Sequence, residues 1–154
     1  MRITHNLFIK ASPEEVYKAV STQNGICGWW SDNCAIGEHE GHESTVRFEK
    51  PDGIVEMVFM NKQLHPFKKV LWECLKNDGP YWVNTRLSYE LSEVEGGTQL
   101  LFAHRNFDDA LEGGEEIESV RKGWDRFMSS LKNYCETGKG QPWSKDQGVP
   151  AEAN

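Results

Sequence analysis

Apolar residues change their spacing twice along the chain. Ile3–Ile9 reads as a first strand, and Ser12-Pro13-Glu14-Glu15 follows as a helix start. Ser12 is the expected cap, Pro13 presets φ at the first helical position, and Glu15 completes a capping box. Val16, Ala19 and Val20 place one apolar stripe on this helix. Asn24-Gly25 and Gly28 then interrupt the pattern, leaving room for about one helical turn before Trp29 and Trp30.

From Cys34 to Phe107 the pattern is that of a meander. Gly37 with Gly41, Pro51-Asp52-Gly53, Pro66, Asn77-Asp78-Gly79-Pro80 and Glu95-Gly96-Gly97 are turn signals. Between them lie runs rich in Val, Ile, Phe, Trp and Thr: Ser44–Glu49, Ile54–Asn61, Lys69–Lys76, Trp82–Leu91 and Thr98–Arg105. Leu87, Tyr89 and Leu91 alternate with Arg86, Ser88 and Glu90. Across the Gly96-Gly97 hairpin, Leu100, Phe102 and His104 are expected on the same face as the apolar set. The sum is an antiparallel sheet of about seven strands with one buried face.

The spacing then returns to three and four. Val120, Trp124, Phe127, Met128, Leu131, Tyr134 and Cys135 predict an amphipathic helix over Glu115–Thr137, stopped by Gly138 and helped by Lys132 near its last turn. At 1.5 Å per residue it is about 34 Å long, enough to cross the sheet. Residues 140–154 read as a flexible tail in which only Trp143 is expected to dock. The fold class is therefore α+β, one domain over residues 1–139, with a curved antiparallel sheet covered by a long C-terminal helix. A helix cannot fill a wide concave surface by itself, so a cavity between helix and sheet is expected.

Composition narrows the partners. The chain has 154 residues, with 17 basic against 24 acidic side chains and a formal net charge of −7. That field repels phosphate backbones and anionic lipid surfaces, which argues against nucleic acid and membrane insertion. No run approaches the roughly 20 apolar residues of a membrane span. Cys27, Cys34, Cys74 and Cys135 have no metal-ligand spacing, and a chain of this length needs no disulfide framework; with no leader-like start, reduced cysteines and a cytoplasmic location are expected.

Candidate chemistry is sparse. The Trp124-Phe127-Met128-Leu131 stripe is core or the wall of an apolar pocket. Gly123, costly in mid-helix by about 1 kcal/mol, suggests close approach to a neighbour, either a strand or a ligand, with packing the favoured cause. Of the adjacent indoles Trp29 and Trp30, one is expected under the helices and the other at a cavity mouth. His104, alone among histidines on an apolar strand face, is a hydrogen-bonded core residue or, in a wet cavity, a group that moves a proton. The cluster Glu38, His39, Glu40, His42 and Glu43 sits on a turn where ligands rarely converge, so no metal site is expected. Asp108–Glu118 holds six acids and no base, which suits a helix start, a lid or a surface for a basic partner. No nucleophile elbow, phosphate loop, dinucleotide fingerprint or zinc-protease motif is present.

Ala11-Ser12-Pro13-Glu14-Glu15-Val16-Tyr17 followed by Gly28-Trp29-Trp30 resembles the opening of the START-like helix-grip (SRPBCC) superfamily. The strand Gly97-Thr98-Gln99-Leu100-Leu101-Phe102-Ala103-His104 is also similar, as is Gly123-Trp124 with the run into Thr137-Gly138-Lys139-Gly140. Together they resemble the branch of homologues of the activator of the heat-shock-protein ATPase, over about Ile3 to Gly140. The resemblance implies a helix-grip fold with two short helices after the first strand and a cavity for an apolar molecule. By position it implies that Trp30, Phe102, His104, Trp124, Phe127 and Met128 line that cavity; Trp29, Trp72 and Tyr89 join them as candidate ligand contacts. It carries over no catalytic residue and no cofactor, because fold analogy is not a site.

The leading expectation is a binder of a small hydrophobic ligand (lipid, polyketide or aromatic-like). Two alternatives stand beside it: a cyclase or dehydratase using His104 with a nearby acid or Tyr89, and a co-chaperone-like module that binds a protein partner through Asp108–Glu118. Whether the chain is an enzyme, and whether it forms a homodimer, stay open at this point.

Overall fold

Seven strands form one antiparallel sheet, and the computed structural model describes residues 1–78 and 82–144 of the chain. In chain order the elements are β1 (Ile3–Ile9), α1 (Pro13–Ser21), α2 (Gln23–Trp29), β2 (Asn33–Ala35), β3 (Glu43–Lys50), β4 (Gly53–His65), β5 (Lys69–Asn77), β6 (Arg86–Val94), β7 (Gly97–Arg105) and α3 (Glu115–Thr137). The sheet order is β1-β7-β6-β5-β4-β3-β2, a meander whose last strand takes β1 on its open side. The α+β helix-grip arrangement expected from the sequence is the one observed.

Local chemistry sets the element ends. Ser12 accepts from the Glu15 backbone N–H and caps α1 behind Pro13. Gly138, at φ 83°, closes α3 with its N–H on the Tyr134 carbonyl. Lys132 bonds Glu136 and the Phe8 carbonyl, so it ties α3 to β1 instead of compensating the helix end. In β6 and β7, Leu87 lies opposite His104, Tyr89 opposite Phe102 and Leu91 opposite Leu100, the shared apolar face read from the alternation. Register shifts at Val58/Phe59 and Asn61/Gln63 bend the long β4, and such bulges curl a sheet around what it covers.

Several expectations are corrected. Trp82 opens a turn, not a strand: the Thr85 N–H returns to the Trp82 carbonyl at 3.0 Å, and β6 begins only at Arg86. Gly25 and Gly28 do not break a helix but lie inside α2, where they permit close approach. A Cβ on Gly25 would collide with the Lys18 carbonyl oxygen, and one on Gly28 with the Tyr134 ring. Trp29 and Trp30 both face the interior, at 0 % and 1 % exposure, stacked with centroids 5.9 Å apart, and Trp30 also borders a cavity there, from a buried position instead of an exposed mouth. They can do so because α2 ends at Trp29 and hands both rings to one interior. Cys27 and Cys34 form a disulfide across Cα atoms 5.9 Å apart, against the expectation of reduced cysteines, because β2 runs back beside α2. That three-residue strand was too short to read from spacing.

The expected tail begins with a docked segment. Trp143 is buried, its N–H and C=O bond Trp30 and Asp32, and its indole N–H reaches the Glu49 carbonyl at 2.9 Å. Residues 145–154 of that tail, and Gly79-Pro80 of one predicted turn, lie outside the described residues. No helix among the described residues is long and apolar enough to cross a membrane.

Candidate functional site

α3 meets the sheet unevenly. In the middle of the interior the contact is tight: the Trp124 ring lies 4.5 Å from that of Phe102 and 5.3 Å from that of Trp30. Trp30 also packs on Phe59 and Trp72, and Trp29 on Tyr89, so stacked and tilted rings fill the centre of the grip.

Toward the N-terminal half of α3 the filling stops. Ser119, Val120, Gly123, Trp124 and Phe127 stand there over the ends of β3, β4 and β5, and a cavity of about 260 Å³, partly open to solvent, remains. Phe48 and Lys50 come from β3, Val55 and Met57 from β4, and Asn77 from β5. Trp30, Trp82 and Trp143 close the sides. Gly123 does not pack closely on anything: a Cβ built there meets no atom within 4 Å. Its missing side chain is open space on the helix face that looks into the cavity.

Of the nine side chains named as candidate contacts, Trp30, Trp124 and Phe127 line this cavity. Trp29, Trp72, Tyr89, Phe102, His104 and Met128 are buried in the filled core instead. Phe48 and Lys50, absent from the expected contacts, carry a signal in the sequence. Ser44, Val46 and Phe48 alternate inward along β3, and Lys50 falls next in that row.

His104 is fully engaged. Its Nδ1 accepts the Trp124 indole N–H at 3.0 Å, and its Nε2 lies 2.8 Å from the Thr85 hydroxyl. That hydroxyl donates its own proton to the Trp82 carbonyl at 2.5 Å, so it can only accept from the imidazole. The ring is therefore neutral with its proton on Nε2. Burial agrees, holding the pKa well below the usual histidine value. A proton shuttle needs a nitrogen facing the ligand, and neither does.

The remaining candidates are structural. Among the described residues no group of three His, Cys, Asp or Glu side chains converges for a metal. Glu38 accepts the Gln23 N–H and Glu40 the Leu64 N–H, so these carboxylates pin the turn to α2 and β4. In the acidic segment Asp109 pairs with the N-terminal ammonium at 2.8 Å, and Asp108 caps the 3₁₀ turn Asp109–Leu111. Burial raises the thiols of Cys74 and Cys135 to about 12, so neither is a thiolate nucleophile at neutral pH.

Comparison with known proteins agrees with this architecture. The family described as activator of Hsp90 ATPase homolog 1-like protein matches residues 10–136. The solution structure of the Aha1 dimer from Colwellia psychrerythraea is similar at 33 % identity, over 91 % of this chain and 99 % of that chain, with a TM-score of 0.74. The AHSA1-like protein from Aeromonas hydrophila shares the fold at 13 % identity, over 87 % and 91 % of the two chains, with a TM-score of 0.66. No curated protein matches. With a family match over most of its length and the seven-stranded grip around one long helix, the chain belongs to the activator of Hsp90 ATPase homolog 1-like family of the START-like superfamily.

Proposed function

We propose that this domain binds a small, flat apolar molecule in the cavity between β3, β4 and the N-terminal half of α3. The observation that carries the reading is Gly123. A residue unfavourable in a helix stands where any side chain would project into ring-lined space. Trp30, Phe48, Trp82, Trp124, Phe127 and Trp143 surround that space with aromatic faces suited to a planar guest. At about 260 Å³ the cavity suits one or two fused rings better than a whole lipid. A cyclase or dehydratase centred on His104 is disfavoured, because both ring nitrogens already have partners inside the protein.

The test uses benzamide and 2-naphthamide as neutral probes of graded size, titrated against the tryptophan fluorescence. Saturable quenching by at least one is expected, lost in Gly123→Leu, whose side chain would occupy the space. Binding that Gly123→Leu leaves unchanged, or no saturation by either probe, overturns the reading. A second reading, a homodimer, is favoured by the dimeric Aha1 relative at 33 % identity and is checked by sedimentation of the full chain.

A further inference from the structure

We infer that the ligand of this cavity is an acid: a flat apolar body carrying one anionic group, held at the rim by Lys50. The inference rests on the proposed binding reading and specifies its ligand class.

It begins with the sheet pattern. Along β3, Ser44, Val46 and Phe48 are buried on the inner face, while Thr45, Arg47 and Glu49 alternate with them. Period two assigns the next inward position to Lys50, so a cation stands where the row calls for an apolar side chain. Its cross-strand partner is Gly53, which has no side chain to cover it or pair with it.

Charge selects the ligand. Lys50 is the only charged side chain among the described residues that line the cavity, and the other polar contributions there come from Asn77 and Ser119. Arg47, Lys62, Lys76 and Arg86 on the same sheet pair with carboxylates, whereas Lys50, like Lys69 and Arg105, is engaged by no ion pair among the described residues, and of these three only Lys50 lines the cavity. It rests instead over the Trp143 ring, 5.7 Å from the centroid, held at the cavity edge by an aromatic face. The chain as a whole carries a net −7, a field that repels anions. An anionic guest therefore needs a local cation, and this is where one is placed. A neutral guest gains at most a hydrogen bond from Lys50, without the charge attraction, and a cationic one would meet it as a like charge.

The experiment compares 2-naphthoate with 2-naphthamide, which share shape and differ in charge, by titration calorimetry on the full chain. 2-Naphthoate is expected to bind at least about tenfold tighter, an advantage that shrinks as salt rises. Lys50→Gln is expected to abolish the advantage and Lys50→Glu to reverse it, read in each variant as the ratio of the two probe affinities. Equal binding of the two probes by the wild type, or a naphthoate preference that survives Lys50→Gln, overturns the assignment to Lys50 while leaving the cavity reading intact. Loss of all probe binding in the wild type overturns the cavity reading, and this inference with it. Because Lys50 is exposed at the end of its strand, both variants are expected to fold, which their unfolding curves check directly.

Discussion

The Trp124 indole N–H donates to Nδ1 of His104 at 3.0 Å, joining α3 to β7 in the middle of the grip. With Thr85 satisfying the other nitrogen, a buried polar group becomes a specific tie between helix and sheet. The tie holds only while the imidazole is neutral, since a second ring proton would face the indole N–H. Unfolded, the ring has an ordinary pKa near 6.5; folded, its pKa lies well below that. The unfolded state therefore binds more protons in acid. The contribution of His104 is complete above about pH 6.5 and is lost as the pH falls toward the folded value, by about 1.4 kcal/mol per unit. Urea unfolding between pH 7.5 and 5.5 is expected to show this slope, and His104→Asn, which keeps an acceptor, to remove most of it.

Thr85→Val is expected to destabilise the protein by about 1–3 kcal/mol, because it leaves the Nε2–H of His104 buried without an acceptor. Thr85→Ser keeps the hydroxyl and is expected to recover most of the loss in the same urea titration.

Gly123→Ala is expected to raise stability by about 1 kcal/mol, the ordinary helix preference of alanine over glycine, since the new methyl meets nothing within 4 Å. Thermal unfolding reads the gain. A loss of stability would mean that Gly123 packs tightly after all.

The Cys27–Cys34 bond closes a short loop between α2 and β2, and its chain-entropy contribution is about 2–3 kcal/mol. A paired Cys27→Ser, Cys34→Ser variant is expected to lose roughly that amount in non-reducing buffer. Adding dithiothreitol is expected to lower the wild type toward it and leave the variant unmoved.

Trp143→Ala is expected to cost about 3 kcal/mol, near the low end for a buried aromatic, because the ring packs on Phe48 and donates to the Glu49 carbonyl. It also removes the aromatic face beneath Lys50. Equilibrium unfolding reads the first effect, and a weakened naphthoate preference the second.

Much of the fold was legible in the order of residues, because strand and helix each impose a period that a buried face must obey. β1 and α3 are the observed Ile3–Ile9 and Glu115–Thr137, and the Leu87/His104 and Tyr89/Phe102 pairs follow from alternation across one hairpin. Trp30, Trp124 and Phe127, three of the expected contacts, line the cavity, from the end of α2 and from the inward stripe of α3. Where aromatic volume exceeds the space of the grip, and where it falls short, is set by packing in three dimensions. Phe102 and Trp72 are the same residue types as Phe48 and Trp82, yet the former fill the centre and the latter border the cavity. Packing density depends on the height of α3 above a sheet bent by two bulges in β4, and no one-dimensional period encodes that height. The same holds for Cys27 and Cys34, whose bond depends on a three-residue strand turning back beside α2. It holds also for Gly123, whose role turns on what lies across the interior from it.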